Sequence, residues 1–238
     1  MTDRVSCVHF TPAKGQVEAN RQAIVSLAED AAANSRVVVL PELCVTGFAL
    51  ERAAAEDGAE PLDGPTVSAL AQLAARRSAV IVCGLALREA DGLLRNAQVV
   101  LDADGSVVEV YAKHHLFASD HDWATAGERP GAVAETAAGR LGLLICHDVV
   151  YPRTVMEVAR RAPRLLAFST AWVGTGEPIP TSWQLAVRLL DPAPLVVANR
   201  GGAEAEFEFS DPSAILSFSR GGTLGPRGDT AYVLYRDL

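Results

Sequence analysis

At 238 residues, 49% of them hydrophobic and 21% charged, the chain can bury a sizeable core without disulfides or metal to hold it. Its 29 acidic against 21 basic residues leave a formal charge of −8, which argues against nucleic acid or an anionic membrane as a partner, since both select clustered lysine and arginine. "MTDRVSCVHF" has no apolar leader and no window approaches a membrane span. The four cysteines, Cys7, Cys44, Cys83 and Cys146, stand singly in apolar segments, so a reduced, cytoplasmic protein is expected.

In chain order, "RVSCVHF" (residues 4–10) alternates as a strand does, and "QVEANRQAIVSLAEDAAAN" sets Val17, Ile24, Leu27, Ala28 and Ala31 on one helical face. "RVVVL" is a short β-branched run of the kind covered on both faces, stopped by Pro41 and Glu42. Asp63, Gly64 and Pro65 open a second helix, with a capping residue ahead of a proline in the first turn. Strands follow at 79–87, 94–101 and 106–112, the last two joined by a "DADG" turn and so read as antiparallel. "GRLGLLIC" is a strand, residues 152–161 a helix, "RLLAFS" a strand, "TSWQLAVRLL" a helix and "PLVVAN" a strand, with "SAILSF" and "TAYVLYRDL" as closing strands. Sheets with helices over their outer faces bury both patterns, and with no linker or repeat the expectation is one domain over 1–238.

Three apolar runs each end in a reactive group: "VVVLPE" in Glu42, "VVEVYAK" in Lys113 and "LGLLIC" in Cys146. Each alone has an ordinary structural explanation: a small buried thiol, a loop carboxylate, a solvated strand end. Together they form a set for acyl transfer, in which a thiol attacks a carbonyl or nitrile carbon, a carboxylate takes its proton and later activates water, and a cation and a backbone N–H steady the oxyanion. An accessible thiol of low pKa is expected at Cys146, reacting ahead of the other three.

The segments "VVVLPELCVTGF", "VYAKHHLF" and "LLICHDVVYP" resemble the three signatures of the nitrilase, or carbon-nitrogen hydrolase, superfamily, and the likeness runs from "VSCVHFTPAKGQVEANRQAI" to "VVANRGG". The resemblance implies an α/β fold, a four-layer α-β-β-α sandwich, with Glu42 as general base, Lys113 as oxyanion stabiliser and Cys146 as nucleophile. It implies no metal or organic cofactor, a homodimer or higher homo-oligomer, and a structural anchor in Asp148. His147 would offer its backbone N–H to the oxyanion; its ring as the base is disfavoured, because neighbours along a strand point to opposite faces.

The sequence also departs from that pattern. Asp120 stands where many members have a further glutamate, with Asp122 as fallback; Arg153 replaces a glutamate after Tyr151 and Pro152, and Asp191 stands where a glutamate is common. This marks a divergent, amidase-like branch. The chain stops after "YRDL", without the long extension many relatives use at the dimer interface, which makes dimerisation a weaker expectation. Loops after the strands put Phe48, His114, Phe117, Trp123, Tyr151, Trp172 and Val173 forward as substrate-binding residues, suited to a small or medium, largely uncharged acyl group. Arg153 and Arg200 are either carboxylate clamps or structural charges. The expected activity is cysteine-dependent hydrolysis of a small carboxamide through a thioester, releasing ammonia, with nitrile or N-carbamoyl hydrolysis as alternatives. Two rivals differ in class. One is a metal hydrolase using His114, His115, Asp120, His121 and Asp122, which lack the spacing of a zinc motif; the other is a non-catalytic scaffold of the same fold.

Overall fold

Strand and helix alternate through the first half of the chain: β1 (Arg4–His9), α1 (Val17–Ala32), β2 (Val37–Val39), α2 (Arg52–Gly58), α3 (Pro65–Arg77), β3 (Val80–Arg88), β4 (Leu94–Leu101), β5 (Val107–Ala112) and α4 (Asp120–Trp123). The second half runs β6 (Ala132–Thr136), β7 (Gly139–Ile145), a 3₁₀ turn (Cys146–Val150), α5 (Pro152–Ala159), β8 (Leu165–Thr170), α6 (Thr181–Leu190) and β9 (Leu195–Asn199). It closes with β10 (Ala203–Glu204), β11 (Phe207–Glu208), β12 (Ala214–Ser217), β13 (Gly221–Leu224) and β14 (Tyr232–Asp237). The computed structural model describes residues 3–48, 51–228 and 231–238. Thr230, placed at the start of the last strand from the sequence, lies outside them.

Among the described residues there are two six-stranded sheets, ordered β14-β1-β2-β3-β4-β5 and β13-β12-β9-β8-β7-β6. In each, three central strands run parallel (β1, β2, β3 and β7, β8, β9) and the flanking strands are antiparallel. Alternation along the strands decides which face each side chain serves. Val37 and Val39 meet Leu165, Ala167 and Val196 between the sheets, while Val38 turns out to Ile24 and Ala28 of α1 and Leu70 and Leu73 of α3. Leu166 and Phe168 turn out to Val155 of α5 and Trp183 of α6. The result is four layers, helices on each side of a pair of facing sheets. No helix among the described residues is long and apolar enough to cross a membrane.

Several details differ from the pattern read along the chain. The two closing strands separate: β12 joins the second sheet beside β9, whereas β14 pairs with β1 in the first, Arg4 opposite Asp237. Helix α3 takes its cap from farther back than Asp63. The Glu60 carboxylate accepts Thr66 N–H at 2.7 Å and the Thr66 hydroxyl at 2.6 Å, satisfying the exposed first turn that Gly64 cannot. Elements β6, β13, α2, α4 and the β10–β11 hairpin are too short to give a periodic signal of their own.

Candidate active site

Glu42, Lys113 and Cys146 each lie just past the end of a strand, β2, β5 and β7 respectively, on the same edge of the sandwich. The segment after β2 is laid against β3 by a glycine. A Cβ at Gly84 would collide with the Pro41 carbonyl and stand 2.6 Å from Glu42 Cα, so only glycine permits the approach. Lys113 is held by its backbone N–H, which donates to the Asn96 carbonyl of β4 at 2.8 Å. Cys146 is the first residue of the 3₁₀ turn, with φ at +42°. Leu43 and Ala118, beside Glu42 and near Asp120, are also left-handed, at +47° and +46°. Such backbone costs of order 1–3 kcal/mol per non-glycine residue and persists where surrounding structure enforces it.

The three side chains come together with Asp120. Lys113 Nζ donates to Glu42 Oε1 at 2.7 Å and to Asp120 Oδ2 at 2.6 Å, with all three side chains fully buried. Asn96 Nδ2 donates to Glu42 Oε1 at 2.7 Å and Asp120 Oδ1 at 3.1 Å, and Ala171 N–H to Glu42 Oε2 at 2.7 Å. The Cys146 thiol donates to the Ala171 carbonyl at 3.7 Å, which puts one residue between thiol and carboxylate. Burial alone would pull the Lys113 ammonium down, but the charges of Asp120 and Glu42 outweigh it and hold its pKa well above the ordinary lysine range. One ammonium thus faces two carboxylates, leaving negative charge in excess. Burial, reinforced by the Glu42 charge and only partly opposed by Lys113, pushes the Cys146 thiol well up. That direction is opposite to the low-pKa cysteine expected from the sequence.

Cys146 opens onto a cleft of about 250 Å³ walled by Phe117, His147, Val150, Ala171, Trp172, Val173 and Thr175. Of the residues put forward for substrate, Phe117, Trp172 and Val173 stand in this wall. Phe48 and Trp123 stand behind it: both are buried in a cluster with Leu43 and Phe209 that also takes in the wall residues Phe117, Ala171 and Val173, and Phe48 meets Phe207 and Phe209 edge-on. Tyr151 stacks on His115 at 3.6 Å, and His114 bonds the Gly127 carbonyl at 2.6 Å; both are outside the wall. Arg200 is 1% exposed, paired with Glu204 at 2.6 Å and stacked over Phe209, so its charge is spent inside the fold. Arg153 and Asp122 are exposed, Asp122 beyond the turn that brings Asp120 to Lys113. The His147 ring lines the cleft with Nδ1 donating to the Leu116 carbonyl at 3.3 Å, and burial lowers its pKa. Cys146 lies past the strand end, so the turn, and not strand alternation, sets the directions of Cys146 and His147.

Asp148 accepts from Tyr111 Oη at 2.7 Å, His115 N–H at 2.8 Å and Ile145 N–H at 3.1 Å, tying the end of β5 to the end of β7. Among the described residues, no group of three or more His, Cys, Asp or Glu is arranged to hold a metal ion; His115 bonds Thr154 and Asp120 is taken by Lys113. The sequence reading did not single out Asn96, Ala171, Val150 or Thr175. Asn96 alone carried a signal, as an amide inside the otherwise buried strand "LRNAQVVL".

Comparison with known proteins places this geometry. The family model for carbon-nitrogen hydrolases matches residues 4–216. A hydrolase from the pqqF 5′ region of Pseudomonas protegens is 32% identical over 71% of this chain, which spans 60% of that relative's length. The 2-oxoglutaramate amidase of Bacillus subtilis is 27% identical over 89% of this chain and 82% of its own. Among solved structures, an alanine-for-cysteine mutant of the Nesterenkonia sp. AN1 amidase in complex with butyramide shares the fold at a TM-score of 0.84. It is 23% identical, covering 100% of this chain and 91% of that one.

Proposed function

The chain belongs to the carbon-nitrogen hydrolase family, and on that footing we propose that it hydrolyses a small carboxamide with an uncharged acyl group, using Cys146 as nucleophile, Glu42 as general base and Lys113 as oxyanion donor. The observation that carries the reading is the fully buried Glu42–Lys113–Asp120 cluster behind a thiol that opens onto an apolar cleft.

Burial and the Glu42 charge favour the protonated thiol, so attack and deprotonation are placed in one step. Sulfur adds to the amide carbon as the S–H proton passes to Glu42, and the developing oxyanion is met by Lys113 Nζ and the His147 backbone N–H. Glu42 returns the proton to nitrogen, the C–N bond breaks, and ammonia leaves a thioester on Cys146. Glu42 then takes a proton from water, whose oxygen adds to the thioester, and the carboxylic acid departs as the thiol is restored. Lys113 is charged at rest between the two carboxylates, and Asp120 still holds the ammonium while Glu42 carries the proton. Asp120 completes that clamp, where a shorter carboxylate is compensated by Phe117 N–H, which donates to its Oδ2 at 3.2 Å.

The cleft wall contains no Lys, Arg, Asp or Glu, and the buried cations nearby, Lys113 and Arg200, are already paired. A substrate carboxylate would be desolvated there without a partner, which costs several kcal/mol. The relative named for 2-oxoglutaramate handles an acid-bearing amide; this cleft favours neutral ones such as the butyramide seen in the Nesterenkonia amidase mutant. Ammonia release should therefore show kcat/KM for butyramide or isobutyramide at least about a hundredfold above that for succinamate. Equal or reversed preference would remove the uncharged-acyl assignment.

A further inference from the structure

Asn96, the third residue of β4, is 1% exposed and does more than fill space between the sheets. Its Nδ2 reaches both carboxylates of the cluster, its backbone carbonyl fixes Lys113, and its Oδ1 has no hydrogen-bond partner among the described residues. The amide orientation follows from charge, because turning Oδ1 toward Glu42 and Asp120 would set an acceptor against two carboxylates. Leaving a buried acceptor without a donor works against folding, so the pair of bonds made by Nδ2 has to outweigh it.

The two oxygens of Glu42 are loaded unequally. Oε1 accepts from Lys113 Nζ and from Asn96 Nδ2, each at 2.7 Å, whereas Oε2 accepts only Ala171 N–H among the described residues. A carboxylate oxygen offers two in-plane lone pairs, so Oε1 is filled and Oε2 keeps one free. The Cys146 thiol rests on the carbonyl of the same Ala171 that donates to Oε2.

We infer that Asn96 is a positioning residue which, with Lys113, saturates Glu42 Oε1 and so assigns the proton transfer from Cys146 to Oε2, while holding Asp120 against the ammonium. The inference rests on the roles proposed above for Cys146 and Glu42. In the step the S–H bond breaks, an O–H bond forms at Oε2, and the sulfur electron pair forms the new bond to carbon; nothing is oxidised or reduced. The bond from Asn96 favours the charged form of the carboxylate that takes the proton, so its removal should displace the pH profile of the reaction to higher pH.

The test reads Cys146 alkylation by iodoacetamide, followed by mass mapping between about pH 4 and 8, beside ammonia release from neutral amides. In the unaltered protein the alkylation rate should fall along an acidic limb. Asn96→Ala should lower both rates roughly ten- to hundredfold and move that limb to higher pH. Asn96→Ser, too short to reach both carboxylates, gives the same readout should the alanine variant not fold. A folded variant with unaltered rates overturns the inference, and so does a lowered rate with an unmoved limb, which is what a merely structural asparagine would give. If Cys146 of the unaltered protein reacts no faster than buried Cys7 and releases no ammonia, the proposed function fails first and takes this assignment with it.

Discussion

His115 shows how a single side chain beside the site links packing to pH. Its ring stacks on Tyr151 at 3.6 Å and its Nε2 bonds the Thr154 hydroxyl at 2.9 Å, and burial, with His114 and His147 nearby, lowers its pKa to about 4. An unfolded chain takes up that proton first, near pH 6.5. The stability it contributes is therefore present above about pH 6.5 and lost as pH falls toward 4. Asp148, pushed up to about 6 by burial, works in the opposite sense, because its folded form holds a proton longest; its contribution is full at low pH and lost as pH rises through 6. His115→Phe keeps the stack and the backbone bond to Asp148 but removes the imidazole titration. Melting temperatures should then shift progressively in the variant's favour between about pH 6.5 and 4; a difference independent of pH would contradict the assignment. At this scale the sequence was most legible where a reactive type interrupts an apolar run, as at Glu42, Lys113 and Cys146. It was least legible where the effect depends on surroundings, as for the thiol, whose pKa burial and the Glu42 charge push up.

Strand ends organise the site, and β3 shows why its neighbours tolerate little change. Gly84 lets the Pro41–Glu42 backbone lie directly on the strand, and Cys44 N–H returns to the Gly84 carbonyl at 3.1 Å. Gly84→Ala drives a methyl into backbone, so a loss of about 1–3 kcal/mol is expected from overpacking. It should come with a fall in amide turnover, because the atoms displaced belong to Glu42. Denaturant unfolding and ammonia release on one sample check this; a stable, fully active variant would mean the segment can retreat without moving the base. Legibility followed length here too. The long periodic elements stand close to where the pattern put them, and the interruption of β4 by Asn96 and Gln98 was visible without revealing its purpose. Long-range partners explain it: Asn96 serves Glu42 and Asp120, while Gln98 donates to Ser169 Oγ of the opposite sheet at 2.9 Å and Ser169 to the Leu40 carbonyl at 2.7 Å, a polar bridge between sheets just below the cluster.

Across the whole molecule, two similar sheets facing each other bring three distant strand ends to one edge, which is how residues separated by about a hundred positions become neighbours. The layered architecture was readable from alternation of β-branched runs and amphipathic helices, and the resemblance of three short segments foretold its four layers. The aromatic wall was harder. Phe48 and Trp123 back the cleft without lining it: they pack with Phe207 and Phe209, which no local pattern connects to them, and with the wall residues Phe117, Ala171 and Val173. The account stands on Cys146 being the nucleophile of an amide hydrolysis. The direct measurement is ammonia release from a panel of neutral carboxamides by the protein and by Cys146→Ala, with intact mass taken after acid quench. The account predicts release and an acyl adduct on Cys146 in the unaltered protein, and neither in the variant, which keeps its melting temperature. Equal release by both proteins would contradict it.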